Sequence, residues 1–364
     1  MVQQLRRTAS GGIGTYVQGL LQGLYALGPG EIPDIELLAS RPPPARGGPD
    51  PLAALGFPLH SSRLPGPLMT RAWDRGLLRA RPGFDVVHST SVATLEPGGA
   101  VLVATIHDLL WRRVPDAYPP RGRRWHEAAL GRALRRAERF VVPAEVVAND
   151  LREAGAPEDA IAVIPMGSDH LPPPDFEAGA ALLDRMGVHG PFLLSVGTLE
   201  PRKNLARLVT AYEHVRGSLP EPWPLVLVGP SGWGERIEPQ AGVVMTGLVL
   251  PTELSALYAT ARLLAYVPLI EGFGLPPVEA MAFGAPVVAS PLPSTAGAAY
   301  EVDPQSVDSI AGGLLRVAVD EVERERLRTA GSKRSGELAW SSIARRHLEV
   351  WHEARAAAPG HHRG

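Results

Sequence analysis

Glu271-Gly-Phe-Gly-Leu-Pro-Pro-Val-Glu279, running on into Ala280-Met-Ala-Phe-Gly-Ala-Pro-Val-Val288, is the stretch on which the fold turns. An apolar run at 263–267 ends just before it, and proline at 276 or 277 suits the first turn of a helix. The spacing predicts a strand, a glycine loop and a helix, with the backbone of Gly272, Phe273, Gly274 and Leu275 at the helix N-terminus. Unpaired N–H groups there bind anions, and Gly272 and Gly274 lack the Cβ that would hold a ligand away. Glu279, expected in the first turn, can accept hydrogen bonds from a diol such as a ribose, while Glu271 in the loop lies nearer a bound sugar. The plain alternative is a junction whose first-turn glutamate only complements the helix dipole.

The same alternation extends outward along the chain. Short apolar runs at 192–196, 225–228, 243–246, 263–267 and 286–289 predict strands in the second half. Runs at 35–39, 85–88, 101–106, 140–142 and 161–164 do so in the first. Helical patterns lie at 13–27, 68–79, 123–136, 144–154 and 341–357. Continuously apolar strands alternating with helices indicate parallel sheets covered on both faces. With 364 residues, the chain is expected to form two α/β domains. Three consecutive prolines, Pro172-Pro-Pro174, interrupt both periodicities and place the boundary near 171–176. The division is therefore 1–172, 173–340, and a final helix from 341 packing back on the first domain, with 361–364 as a frayed tail.

Composition narrows the class. Thirty-six basic against 38 acidic residues give a net charge of −2, so no global field recruits nucleic acid. With no cysteine, disulfides and thiolate metal sites are excluded, which suits a reducing cytoplasm. No apolar stretch reaches the roughly 20 residues of a membrane span, and the opening residues do not read as a signal peptide. No Asp-x-Asp motif is well placed and the histidines do not cluster at ligand spacing, so neither a metal nor another cofactor is expected.

Four further segments carry chemistry. Val196-Gly-Thr-Leu-Glu-Pro-Arg-Lys-Asn204 follows a strand and opens a helix, putting Arg202 and Lys203 side by side at a phosphate-binding turn. Cations at a helix N-terminus oppose the macrodipole, so the placement makes sense when an anion sits between them. Gly11-Gly-Ile-Gly14 leads into an amphipathic helix, a weak phosphate-cradle pattern preceded only by residues 1–5 and a loop at 6–10. His107, in Thr105-Ile-His-Asp108, stands at the carboxyl end of a strand, where open α/β sheets bind ligands. Asp108 either orients its ring or caps the next turn. Finally, Thr246-Gly-Leu248-Val and Val228-Gly-Pro-Ser-Gly232 end neighbouring strands, and the backbone at Leu248 could read a nucleobase edge. The arginine-rich stretch 121–136 is read as a solvated helix face, its rival being a membrane-surface helix beside a lipid-linked acceptor.

The two glutamates separated by seven residues around G-F-G-L-P resemble the signature of retaining glycosyltransferase family 4, of the GT-B fold (glycosyl transferases group 1). The resemblance covers nearly the whole chain and is strongest from 197 to 288. It implies two Rossmann-like domains facing a cleft, an acceptor site mainly in the first, and a GDP- or UDP-hexose donor mainly in the second. Transfer would be metal-independent and retain the anomeric configuration by front-face attack. His107, Arg202, Lys203 and Glu271 would serve the chemistry; Gly12, Gly14, Leu248, Gly272, Phe273, Gly274, Leu275 and Glu279 would hold the donor. Gly12 and Gly14 would then lie near sugar and phosphate, and His107 would touch the sugar. Three departures from the family stand out. Thr198 occupies the place of a common arginine, so Arg202 substitutes for it. Residues 290–304 are shorter than usual, and either the first strand is stubby or the chain is trimmed. The acceptor is a sugar, a small molecule or a lipid-linked species, and the expected location is the cytoplasm, at the membrane's inner face in the last case. Rival readings are a sugar-nucleotide epimerase of the same fold and a non-catalytic nucleotide-sugar sensor.

Overall fold

The computed structural model describes residues 2–6, 11–28, 30–42, 50, 52–221, 223–232 and 240–357. The chain divides into two compact units: Met1–Gly167 with Trp340–Gly364, and Ser168–Ala339.

The first unit carries β1 (Leu37–Ala39) and β2 (Leu59–Ser61), a parallel pair, and a second parallel sheet. That sheet is built from β3 (Val86–Ser89), β4 (Val101–Thr105), β5 (Arg139–Val142) and β6 (Ile161–Val163) in that order. Every residue of β4 is buried, as its uninterrupted apolar sequence demands. Phe140, Val142, Leu130 and Leu151 pack around it. Between the edges of β1 and β3 lies a cavity of about 400 Å³, floored by Trp73 and Met69.

The expected lead-in strand is corrected here: Gln3–Arg6 form a 3₁₀ turn, and the Val2 N–H donates to Leu38 O of β1 at 3.0 Å. Nor is Gly11–Gly14 a loop, because the helix already begins at Gly11 and runs to Leu27. Residues 7–10, the segments 43–49 and 51, and the tail 361–364 lie outside the described residues. The helix expected over 68–79 spans Gly66–Asp74, stopped where Gly76 takes φ +66.

The Gly11–Leu27 helix packs along the final helix, Trp340–Ala357. Contact is close because Gly19 and Gly23 face Trp340; a Cβ on Gly19 would lie 2.0 Å from its indole. Beneath them runs a buried hydrogen-bond relay. His347 Nδ1–H donates to Ile343 O at 2.8 Å, so its Nε2 must accept, and Tyr16 Oη–H supplies it at 2.7 Å. Tyr16 Oη in turn accepts from Thr105 Oγ1–H (2.9 Å), which accepts from His88 Nε2–H (2.8 Å). Burial lowers His347 to about 4 and pushes the Tyr16 hydroxyl well above its ordinary value.

The second unit is one six-stranded parallel sheet in the order β12-β11-β10-β7-β8-β9. Its strands are β7 (Leu193–Val196), β8 (Leu225–Val228), β9 (Val243–Gly247), β10 (Leu263–Tyr266), β11 (Val287–Ala289) and β12 (Tyr300–Glu301). From β7 the chain winds outward through β8 and β9, then crosses back and winds outward on the other side from β10. The order reverses between β7 and β10, and connections leave these neighbours in opposite directions. Open α/β sheets bind ligands above the carboxyl ends of the strands at such a reversal point. The prolines at 172–174 belong to this unit: Ser255 Oγ–H donates to Pro172 O at 2.7 Å, pinning the stretch to the Pro251–Thr260 helix.

Candidate functional site

Both loops that leave the reversal point carry motifs singled out in the sequence. After β7 the chain passes Gly197 and makes a single 3₁₀ turn, Pro201–Lys203, before the Leu205–Arg216 helix. After β10 it passes Val267 and Glu271 and enters the Leu275–Ala282 helix. Asn204 ties the two together. It adopts φ +61 and its Nδ2 donates to Val267 O (2.9 Å) and Pro304 O (2.7 Å). The Leu269 N–H adds a bond to Arg202 O at 2.9 Å.

That tie brings the charged groups into one cluster. Glu271 Oε1 accepts from Lys203 Nζ (2.5 Å), Arg202 Nη1 (2.7 Å) and Tyr266 Oη (2.9 Å). Arg202 Nη2 also pairs with Glu200 at 2.5 Å, and Lys203 Nζ donates to Tyr266 Oη at 2.6 Å. Burial alone would raise the Glu271 carboxyl, but Lys203 and Arg202 outweigh it and hold the group below the usual carboxylate range. For Lys203, burial lowers the ammonium and Glu271 only partly offsets it. The anion expected between the two cations is thus supplied by the protein itself, from a loop 68 residues further on.

The glycine loop leads directly into the Leu275–Ala282 helix. Gly274 is the N-cap at φ +91, a conformation unfavourable for any side chain, with no side-chain cap. Pro276 and Pro277 remove two of the N–H groups that a helix start normally leaves open. The N–H groups of Gly272, Phe273 and Gly274 find no acceptor among the described residues. The helix begins at Leu275, earlier than the prolines suggested, so Glu279 is corrected to its second turn. Its carboxylate is buried, accepting from Tyr258 Oη at 2.8 Å and lying 3.1 Å from His170 Nε2.

Beside β7, the loops after β8 and β9 meet through Gly229 N–H and Gly247 O at 3.0 Å. Gly229 has no room for a side chain, since a Cβ would lie 2.0 Å from Gly197 O. Leu248 projects beyond β9 and is 59% exposed.

Gly12, Gly14 and His107 belong to the first unit. Gly12 is exposed and Gly14 buried in the first turn of the Gly11–Leu27 helix. His107 Nε2–H donates to Thr90 O at 3.0 Å, which fixes the tautomer and leaves Nδ1 as an acceptor without a partner among the described residues. Its ring meets Tyr16 edge-on at 4.9 Å, and burial lowers it to about 4. Asp108 caps the following turn through the Leu110 N–H at 3.1 Å. In the arginine-rich helix Pro120–Arg136, Trp125 and Arg132 both turn to Asp74, and Arg136 pairs with Glu96.

Sequence reasoning missed Tyr266, Glu200, Tyr258 and His170. Tyr266 is a hydroxyl at the carboxyl end of an otherwise apolar strand, a signal that was available.

Among the described residues no group of three or more His, Asp or Glu side chains could hold a metal ion. No described helix is long and apolar enough to cross a membrane.

The model for glycosyl transferases group 1 matches residues 188–334, and that for Glycosyltransferase Family 4 matches 10–170. An O-antigen chain mannosyltransferase B of Escherichia coli is 29% identical, covering 68% of this chain and 69% of that protein. A D-inositol 3-phosphate glycosyltransferase of Xylanimonas cellulosilytica is 30% identical, covering 83% of this chain and 80% of its own length. The crystal structure of Anabaena HepE in complex with UDP-glucose superposes with a TM-score of 0.69 at 17% identity, covering 94% of this chain and 96% of that one.

Proposed function

Because the chain belongs to glycosyltransferase family 4, the glycosyl transferases of group 1 with the GT-B fold, we propose the following assignment for its hexosyl transfer. The donor is a nucleoside diphosphate hexose, GDP-mannose or UDP-glucose, bound by the second unit; the first unit binds a sugar or lipid-linked acceptor. The observation that carries this reading is the Glu271–Lys203–Arg202 cluster at the carboxyl ends of β7 and β10. The E. coli relative's name supports mannose, and the HepE complex supports UDP-glucose.

The four charges of the cluster, Arg202 and Lys203 against Glu200 and Glu271, cancel one another. A pyrophosphate arriving there would compete with Glu271 for the two cations and meet the open N–H groups of Gly272–Gly274. Glu271, released from them, would turn to the hexose. Leaving-group charge would then develop against cations and fixed amide dipoles that need no reorganisation. These groups do the work that a divalent ion does elsewhere, so the transfer is metal-independent. Attack on the same face as the departing phosphate retains the anomeric configuration, a phosphate oxygen taking the acceptor proton. Glu279 binds the ribose and Leu248 lies against the base; His107, Gly12 and Gly14 are assigned to sugar and phosphate on the family resemblance alone.

Thermal denaturation with GDP-mannose, UDP-glucose, GDP and UDP tests the donor class, since a ligand that binds only the folded state raises the midpoint. A midpoint unmoved by all four would overturn it. Turnover is expected to survive excess EDTA; a loss restored by Mg²⁺ or Mn²⁺ would refute metal independence. Glu279→Gln removes a charged acceptor facing the ribose and should weaken nucleotide binding by about 1–3 kcal/mol, raising KM more than it lowers kcat. Glu271→Gln should do the reverse. Calorimetry with the diphosphate alone separates them: normal binding by Glu279→Gln with loss in Glu271→Gln would mean the roles are exchanged.

A further inference from the structure

At the opposite end of β7 and β10 from this cluster lies a second cavity of about 400 Å³. Phe176, Leu183 and Phe192 form its apolar wall, and Arg262, Arg324 and Arg328 line it as well. We propose that it binds a small organic phosphate, the head group on the three arginines and the carbon body against the apolar wall.

The charge balance is the first argument. All three guanidinium groups converge on one carboxylate, Glu321: Arg324 Nη1 at 2.6 Å, Arg262 Nη2 at 3.4 Å and Arg328 Nη1 at 3.4 Å. Glu325 adds a single contact to Arg328 at 3.6 Å. Both glutamates are exposed, at 64% and 69%, so water screens them, whereas the Arg324 side chain is 4% exposed. Positive charge is therefore in excess at the buried end of the cavity.

The second argument is an unmet donor. Arg324 Nε is buried with no hydrogen-bond partner among the described residues, and a buried guanidinium donor left unpaired is unfavourable. Burial and the neighbouring Arg262 and Arg328 hold Arg324 below its ordinary value, the response of a cation that lacks sufficient counter-charge. Arg262 is itself fixed, its Nε donating to Ala318 O at 2.8 Å and its plane over Trp223 at 5.2 Å, so that one wall is rigid before a ligand arrives. A phosphate offers several acceptor oxygens to planar forks of this kind. The aromatic wall gives an organic phosphate more to bury than the bare ion.

The test is calorimetric titration of the full chain with phenyl phosphate and with inorganic phosphate. Lys203→Ala is included so that binding at the donor site is distinguishable. Saturable binding is expected in both proteins, tighter for phenyl phosphate. Arg328→Gln, a partly exposed change, should weaken it at least tenfold in the Lys203→Ala background while leaving nucleotide binding in the parent chain intact. Arg324→Lys, which keeps the charge but not the fork, should weaken it as well; should that variant not fold, Arg328→Gln decides. No saturable binding in either protein, or the same affinity after Arg328→Gln, would overturn the proposal.

Discussion

Between pH 7 and pH 4.5 the first unit is expected to lose stability, with about 2–3 kcal/mol of the loss tracing to His347. The side chain is fully buried and both ring nitrogens are committed, Nδ1 as donor to Ile343 O and Nε2 as acceptor from Tyr16. Charging the ring would place a cation in the core and turn its acceptor into a second donor facing the Tyr16 hydroxyl. Burial accordingly lowers it to about 4, Arg346 acting in the same sense and the Ile343 carbonyl partly opposing. An unfolded histidine titrates near 6.5. Between those values the unfolded chain holds a proton that the native chain does not, so stability falls as pH falls through this window and levels off below about 4. His107 and His88 shift in the same direction, also through burial. Urea denaturation at pH 7 and pH 4.5 measures the effect. His347→Gln keeps an acceptor for Tyr16 without a titrating group and should remove about 2–3 kcal/mol of the acid loss. An acid limb identical in variant and parent would show that His347 is not the titrating group.

What could be seen in the sequence was what is local. The strand at 225–228 needed only four consecutive apolar residues, and it is β8 to the residue. The glycine loop and its two glutamates were legible because strand end, loop and helix follow one another directly. Strands β2 and β12 were not, at three and two residues too short to show a period. Pairing across the chain was also out of reach. That Glu271 rather than a ligand sits between Arg202 and Lys203 depends on β10 lying beside β7, which follows from the crossover and not from either motif. Glu200 stood inside the quoted string but its partner Arg202 is two residues on, where sequence shows adjacency and not orientation. Glu279 falls in the second turn, not the first, because Gly274 at φ +91 caps the helix ahead of the two prolines that suit a helix start.

Lys203→Ala and Arg202→Ala are each expected to lower turnover about ten- to a hundredfold, the loss of a charge-assisted contact of about 1.5–3 kcal/mol in the transition state. The Lys203 ammonium reaches both Glu271 and Tyr266, at 2.5 and 2.6 Å, on a side chain that is mostly buried. Lys203→Arg should not rescue turnover, since a planar guanidinium cannot occupy the position of a compact ammonium between those two oxygens. Arg202 keeps a second partner in Glu200, so its loss also leaves a buried carboxylate uncompensated. The cluster makes a further demand on additivity. If Glu271 holds the cations in place until pyrophosphate takes them over, the effects of Lys203→Ala and Glu271→Gln should overlap. The double variant would then be less impaired than the product of the two single losses. Steady-state kinetics on the two singles and the double, with folding checked by thermal midpoint, measures this coupling. Fully multiplicative losses would mean that the two side chains act independently, and unchanged turnover in Lys203→Ala and Arg202→Ala would remove the pyrophosphate from this turn altogether.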